Sequence, residues 1–230
     1  MANDRDMRSA FLSEMRAVPE FAQFLAASPI LGLAPRGDGH PVLVLPGWTA
    51  DDRSTRTLRW YLRQLGYAVH GWGVGVNEGL TDEIAGKVAR RLRDLGERYG
   101  NRTVSLVGWS LGGVYARALA RESPRQVRMV ITLGSPINAR RPDARGRLPV
   151  PSTSIYSRSD AIVPWRMSLD VAGPHSENVE VRGSHVGLGH NAAALLVVAD
   201  RLAQPEGTWA PFSPPARARR MFPSPGDDDR

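Results

Sequence analysis

The sequence contains no cysteine among its 230 residues. A disulfide framework, a thiolate nucleophile and a cysteine-ligated metal site are therefore excluded, and covalent chemistry has to use Ser, Thr, Lys, Asp or Glu. Serine is the natural candidate among these. We see no motif for a metal ion or an organic cofactor, and we expect neither.

Lysine is almost as scarce, since Lys87 is the only lysine among the 30 basic residues. The formal net charge of +7 would suit a nucleic-acid-binding protein. The arginines are nevertheless scattered over most of the chain, so we expect no nucleic-acid partner. The densest group is interpreted as a solvated loop, with attraction of an anionic substrate as the alternative; it comprises Arg140, Arg141, Arg145 and Arg147.

Long apolar runs are missing as well. No stretch approaches the ~18 residues that a membrane-spanning helix needs. Residues 1–6 mix both charges, and no apolar core of a secretion signal follows them. We therefore expect a cytoplasmic protein without a transmembrane segment. Its length, with 42% hydrophobic and 23% charged residues, fits one soluble domain.

Short apolar runs alternate with longer helical patterns from residue 41 onward, which is typical of parallel βαβ units. The fold class is thus predicted as α/β, with a doubly wound and mostly parallel sheet. In such sheets a ligand binds outside the carboxyl ends of the strands. The predicted strands are 42–45, 67–72, 103–107, 127–133, 154–157 and 179–181, and the predicted helices are 54–65, 81–99, 114–121 and 191–202.

Two segments flank this predicted α/β domain, which we place at residues 41–204. Residues 1–40 form a predicted N-terminal helical extension, with one amphipathic helix in 3–18 and a second short helix from Pro19. Three roles are compatible with these helices: packing against the sheet, covering the active site, or contact with a membrane surface. Residues 205–230 are rich in proline and arginine and are predicted to form a mostly unstructured tail, whose first part Trp209 and Phe212 could anchor.

The segment Gly108-Trp109-Ser110-Leu111-Gly112 lies between an apolar strand and a helix. This G-x-S-x-G pattern predicts a nucleophile elbow, a tight turn that holds the serine hydroxyl above the sheet edge. Glycine is needed on either side because the turn leaves no space for side chains. The start of the helix adds N–H groups and partial positive charge that can stabilise an oxyanion. We therefore predict acyl transfer with Ser110 as the nucleophile.

Such a serine needs an acid and then a histidine further along the chain. His185 follows the strand at 179–181 and is the predicted base, with His190 as the fallback. Asp160 follows the strand at 154–157 and is the predicted acid that orients the imidazole. The other acids considered in this interval are Glu122, Asp143, Asp170, Glu177 and Glu180, of which Asp143 is assigned to salt bridging.

The oxyanion hole is predicted from two backbone N–H groups, that of Leu111 and that of Trp48 in the loop after the first strand. Gly47 allows the backbone to approach the substrate closely. The ring of Trp48 is equally compatible with packing against the N-terminal helices. Several apolar residues near the site are candidates for binding an acyl group, with core packing as the alternative for each: Ile137, Val163, Trp165, Val186 and Leu188.

Together, these motifs make residues 41–203 resemble the α/β-hydrolase family, and more narrowly its compact bacterial lipase- and esterase-like members. The resemblance implies a serine hydrolase whose triad is Ser110, Asp160 and His185. The loop that often opens with His-Gly in the family begins here with Pro46-Gly47, which keeps its backbone role. The interval 137–151 leaves no room for a helical cap, so we expect an open cleft. The motifs that carry the resemblance are Pro46-Gly47-Trp48, residues 108–113, residues 159–163 and Gly183-Ser184-His185.

The expected activity is hydrolysis of small-molecule carboxylic esters through an acyl-enzyme. Hydrolysis of thioesters in acyl-CoA-like substrates is the alternative. A non-catalytic α/β-hydrolase scaffold that binds a ligand is a rival from a different class, and a nucleic-acid-binding module is the weakest of the hypotheses.

Overall fold

The computed structural model describes residues 17–138 and 146–223, and these residues contain a six-stranded sheet. All neighbouring strands are parallel, and their order is β2-β1-β3-β4-β5-β6. The α/β class and the doubly wound parallel sheet are thereby confirmed. The strands are β1 (Pro41–Leu45), β2 (Ala68–Gly71), β3 (Val104–Trp109), β4 (Val127–Leu133), β5 (Ser152–Tyr156) and β6 (Ser176–Glu180).

Helices connect and cover these strands. Two of them begin with a side-chain cap: Thr81 accepts the N–H of Ile84 at 3.2 Å, and Asn191 accepts the N–H of Ala194 at 3.0 Å. None of the described helices is long and apolar enough to cross a membrane. The helices are α1 (Ala17–Ala26), α2 (Ser28–Leu31), α3 (Arg56–Gln64), α4 (Asp82–Arg98), α5 (Leu111–Glu122) and α6 (Ala192–Ala203).

The core lies on both faces of the sheet. Every residue of β1 and β4 is buried, as expected for strands that helices cover on two sides. Side chains alternate between the faces: Val42 and Val44 pack with the layer of α1, α3 and α6, whereas Leu43 and Leu45 pack with the layer of α4 and α5. This sandwich holds the strand ends rigidly.

The N-terminal extension belongs to the first of these layers. Phe24 of α1 is 5% exposed and Leu31 of α2 is 3% exposed, and both join the cluster formed with α3 and α6. Phe24 and Leu31 thus pack into the core on this face of the sheet. The helix predicted at 3–18 lies almost entirely outside the described residues.

The last two strands differ most from the sequence-based bounds. β5 starts two residues earlier than predicted because Ser152 and Thr153 are buried with satisfied hydroxyls, which no apolar pattern reveals. β6 covers 176–180 rather than 179–181. It is an edge strand whose residues are half-buried or exposed, so polar residues are tolerated there.

The C-terminal segment also differs from the sequence interpretation. Residues 205–223, expected to be mostly unstructured, include a 3₁₀ helix at Ala216–Met221 and contribute buried Ala218 and Phe222 to the core. Phe212 packs on Phe222 with ring centroids 5.2 Å apart, in line with its predicted anchoring role. The interpretation missed this packing because the buried residues are isolated between prolines and arginines. Residues 224–230 lie outside the described residues.

The strand order changes direction at β1, since β2 lies on one side of it and β3 to β6 on the other. In open parallel sheets this switch point creates a crevice at the carboxyl ends of the strands. The loops that follow β1, β3, β5 and β6 all leave this edge of the sheet. They carry the residues of the candidate site.

Candidate active site

Ser110 sits in a strained turn between β3 and α5. Its φ and ψ angles are 53° and −124°, and within the described part of the chain only Thr49 and Asn101 are other non-glycine residues with positive φ. Such a conformation costs of order 1–3 kcal/mol and persists only where surrounding structure enforces it. The Ser110 N–H donates to the carbonyl of Leu133 at 2.8 Å, which ties the turn to the end of β4.

The glycines of the pentapeptide are required by close backbone contacts. A Cβ on Gly108 would lie 2.4 Å from the Cα of Gly113, where α5 begins. A Cβ on Gly112 would lie 2.2 Å from the carbonyl oxygen of Leu45 at the end of β1. Both distances are far below van der Waals contact, so these positions accept no side chain. The turn thus has the geometry of a nucleophile elbow.

A buried histidine and aspartate meet beside this turn. The Nδ1 of His185 lies 2.7 Å from Oδ2 of Asp160, and the two side chains are 6% and 1% exposed. The other oxygen of Asp160 accepts the N–H groups of Ile162 and Val163 at 2.9 and 2.8 Å. The carboxylate is therefore held at both oxygens. Because a carboxylate accepts, the imidazole donates through Nδ1 and leaves Nε2 as the nitrogen that can take a proton.

Gly134 lies between the His185–Asp160 pair and the turn that holds Ser110. A Cβ there would lie 3.0 Å from Oδ2 of Asp160 and 3.2 Å from Nδ1 of His185. The preceding carbonyl, that of Leu133, accepts the N–H of Ser110. In addition, the indole N–H of Trp109 donates to the carbonyl of His185 at 3.2 Å. Ser110, Asp160 and His185 thus belong to one site at the carboxyl edge of the sheet.

The loop after β1 forms another wall of this site. A Cβ on Gly47 would lie 3.1 Å from Cβ of Ser110, so the backbone passes directly over the nucleophile. Among the described residues, the N–H groups of Trp48 and Leu111 have no acceptor, which leaves both able to bind a negatively charged oxygen. Trp48 is 65% exposed, so its ring is not packed against the described helices α1 and α2.

Comparison with known proteins agrees with this geometry. A family model of the alpha/beta hydrolase fold matches residues 41–149, and no curated protein matches the chain. A predicted CIB-like hydrolase from Thermoplasma acidophilum has a TM-score of 0.56 at 14% identity, over 71% of this chain and 86% of that one. The chain has the α/β-hydrolase fold. The family match begins at β1 and contains Ser110.

Two other solved α/β-hydrolase structures show how far the likeness extends. A structure of the metagenome-derived lipolytic enzymes LipS and LipT has a TM-score of 0.58 at 17% identity, over 74% of this chain and 94% of that one. An esterase from Thermogutta terrifontis has a TM-score of 0.56 at 16% identity, over 72% and 90%. At these identities the likeness concerns the fold. The family match ends before Asp160 and His185, so their pairing rests on the geometry of this chain.

Of the remaining acids, Asp170, Glu177 and Glu180 pair with arginines away from His185. Asp170 is buried and receives two hydrogen bonds from Arg117, at 2.5 and 2.8 Å. Glu177 pairs with Arg201, and Glu180 pairs with Arg158. Glu122 ends α5 at the opposite end from Ser110, and Asp143 lies outside the described residues. The histidine that bonds Asp160 is His185, not the fallback His190.

The residues predicted to bind the acyl group fall into different places. Leu188 is fully buried with its Cδ1 against Gly134, and Val163 is 7% exposed, so both pack beneath the site. Trp165 stacks on Tyr156 with centroids 5.7 Å apart, and the guanidinium carbons of Arg158 and Arg166 lie 4.8 and 4.3 Å from its ring centroid. Val186 is 41% exposed directly after the histidine.

Ile137 lines a cleft of about 240 Å³ between α4 and α5. Its walls are mostly apolar, and Val114 on the first turn of α5 connects them to the elbow helix. Arg147, from the arginine-rich loop, donates to the carbonyl of Ala172 at 3.0 Å; Arg140, Arg141 and Arg145 lie outside the described residues. The described wall residues are Leu80, Thr81, Asp82, Ala85, Val114, Tyr115, Arg117, Ala118, Arg121, Glu122 and Ile137.

Asn77 is a residue of the site that sequence reasoning missed. It is fully buried, and its side-chain amide donates to the carbonyl of Pro46 at 3.0 Å. Its backbone exchanges hydrogen bonds with Thr49 and Ala50, each at 2.8 Å. Asn77 thereby clamps the loop that carries Trp48. The sequence held no signal for this role, because a lone asparagine between glycines is typical of an ordinary turn.

Glu20 is a second missed residue. Its carboxylate is buried beneath the loop of His185 and accepts two hydrogen bonds from Ser184, both at 2.8 Å. Nothing in the local sequence of α1 distinguishes this glutamate from an exposed one.

Proposed function

We propose that the protein is a serine hydrolase that cleaves carboxylic esters with Ser110 as nucleophile, His185 as base and Asp160 as orienting acid. The observation that carries the proposal is the 2.7 Å hydrogen bond between His185 and Asp160, formed next to the carbonyl that holds the strained serine. The α/β-hydrolase fold, and the likeness of that fold to lipolytic and esterase structures, support hydrolysis. They leave the substrate class to experiment.

In the proposed reaction the hydroxyl of Ser110 attacks the ester carbonyl while Nε2 of His185 takes its proton. Asp160 holds the tautomer and stabilises the imidazolium that forms. The N–H groups of Trp48 and Leu111 bind the oxyanion of the tetrahedral intermediate. His185 then protonates the departing alcohol, and water hydrolyses the acyl-enzyme by the same steps in reverse order.

The direct test is a panel of p-nitrophenyl esters and acyl-CoA thioesters, combined with labelling by a fluorophosphonate probe. We expect ester turnover and one adduct on Ser110, and Ser110→Ala and His185→Ala should each reduce kcat by about 10⁴–10⁶-fold. Asp160→Asn should lose as much or somewhat less. Ser123→Ala, the same substitution at the opposite end of α5, is the matched control and should retain full activity.

Two outcomes would contradict the proposal. A folded wild-type protein that neither reacts with the probe nor turns over any ester or thioester would indicate a scaffold that binds without catalysis. A strong, salt-sensitive preference for acyl-CoA would replace the ester assignment with a thioesterase.

A further inference from the structure

The loop of His185 is anchored to a helix from the other end of the chain. Oε1 of Glu20 accepts the backbone N–H of Ser184 at 2.8 Å, and Oε2 accepts the hydroxyl of the same serine at 2.8 Å. The two partners are 164 residues apart in sequence. Ser184 is fully buried and immediately precedes the histidine.

The anchoring extends to the other side of His185. The hydroxyl of Ser184 donates to Glu20 and accepts the N–H of Gly187 at 3.0 Å, so one serine connects the residues that flank the imidazole. The carboxylate also fills the space beside Gly187: a Cβ at that position would lie 1.4 Å from Oε2 of Glu20. Only glycine at position 187 leaves enough space for the carboxylate of Glu20 to reach this loop.

A buried carboxylate is an unusual choice for structural packing alone, because removal of a charge from water is unfavourable unless strong hydrogen bonds compensate. Within residues 17–138 and 146–223, Glu20 forms no ion pair with an Arg, Lys or His side chain. Its compensation comes from the His185 loop. Hydrogen bonds to a charged acceptor are about twice as strong as neutral ones, so this contact holds the loop tightly.

We propose that Glu20 is a positioning residue that fixes the His185 imidazole relative to Ser110. The inference rests on the proposed serine-hydrolase function. Glu20 touches neither substrate nor Ser110; it acts through Ser184 and Gly187. Asp160 sets the direction of the imidazole ring, and Glu20 sets the position of the backbone that carries it.

The test compares variants of the full chain by kcat and KM per folded molecule. Glu20→Ala removes both acceptors and should lower kcat by about 10- to 100-fold while KM stays nearly constant, since misplacement of a catalytic group by about 1 Å has effects of this size. Glu20→Gln should restore most of kcat, because its amide can accept the N–H of Ser184 and donate to its hydroxyl. Ser184→Ala should fall between the two.

The matched control is Phe24→Leu, one turn further along α1. Phe24 is 5% exposed and packs edge-on against Trp60 with centroids 6.4 Å apart, so the change loosens the docking of α1 and keeps both bonds to Ser184. We expect a lower Tm and an unchanged kcat per folded molecule. If Phe24→Leu loses as much kcat as Glu20→Ala, or if Glu20→Ala keeps wild-type kcat, the proposal is wrong.

A readout independent of turnover separates this proposal from the proposed function. The His185 Nδ1 proton that is bonded to Asp160 should give a downfield proton NMR signal in the wild type. The signal should shift or broaden in Glu20→Ala and persist in Phe24→Leu. An inactive, probe-resistant wild type with this pattern would refute the hydrolase function alone, whereas an unchanged signal in Glu20→Ala would refute the positioning role. Should Glu20→Ala fail to fold, Ser184→Ala decides by the same two measurements.

Discussion

Gly134 offers a way to displace the His185–Asp160 pair without changing either residue. Its φ is +52°, and a Cβ there would lie 2.7 Å from Cδ1 of Leu188, 3.0 Å from Asp160 Oδ2 and 3.2 Å from His185 Nδ1. Ordinary van der Waals contact begins at about 3.4 Å, so Gly134→Ala must push all three neighbours. Leu188 is fully buried and cannot move outward, which directs the displacement to the hydrogen-bonded pair.

Two effects contribute to the expected loss of folding free energy in Gly134→Ala. A left-handed conformation costs an L-residue about 1–2 kcal/mol. Forcing an extra methyl into a packed site costs a further 1–3 kcal/mol, roughly. Gly134→Ala should therefore lower the free energy of unfolding by about 2–5 kcal/mol, and kcat should fall by about 100-fold because the imidazole no longer aligns with the serine.

Gly100→Ala is the matched control. Gly100 has a φ of +70°, and a Cβ there would meet nothing within 4 Å. It therefore shares the conformational cost without the steric one. Urea unfolding should show a loss of about 1–2 kcal/mol, and both kcat and the rate of fluorophosphonate labelling should equal those of the wild type. If Gly134→Ala also retains the wild-type labelling rate, the described arrangement around the histidine is not the one that works in solution.

Two further predictions concern stability. Asp170→Ala leaves Arg117 buried without its two hydrogen bonds to the carboxylate and Ser152 without its acceptor. The free energy of unfolding, measured in urea, should therefore fall by about 3–5 kcal/mol. A loss below about 1 kcal/mol would show that the pair is not buried as described. Burial lowers the pKa of His40 below its ordinary value despite its hydrogen bond to Asp38. As the pH decreases, the unfolded chain therefore takes up the proton before the folded protein does. The free energy of unfolding should be greatest above pH 6.5 and should fall below it. His40→Gln should show a smaller stability loss between about pH 7 and 5 than the wild type, and an equal loss would contradict the assignment to His40.

Much of the fold was predictable because its strands are apolar and buried on both faces. The predicted bounds of β4 agree with the structure at both ends, 127 and 133, since every residue of that strand is buried. The same reasoning failed at β5 and β6. There buried hydroxyl groups and half-exposed edge residues form the strands, and the information that makes them stable lies in partners such as Asp170 and Glu177.

Some residues of the candidate site could likewise be located from the sequence, and others could not. Residues at strand ends could be located from the sequence, because parallel strands bring their carboxyl ends to one edge; Asp160 and His185 are in contact there, and their catalytic roles stay a prediction. Asn77 and Glu20 could not be located in this way. Their roles depend on contacts with loops 31 and 164 residues away in sequence, which no local pattern encodes.

The long sequence separation between Glu20 and Ser184 bears on the order in which the protein matures. During synthesis α1 leaves the ribosome early, but the serine that it binds, Ser184, is added only after all six strands of the described sheet. The turn around Ser110 lies between β1, β3 and β4, all of which precede Ser184 in the chain. Contacts between distant parts of a chain form late in folding because loop closure is unfavourable. A nascent chain that ends after β4 therefore contains Ser110 and its turn but not His185, so under the proposed function it has no activity until the loop after β6 has been added.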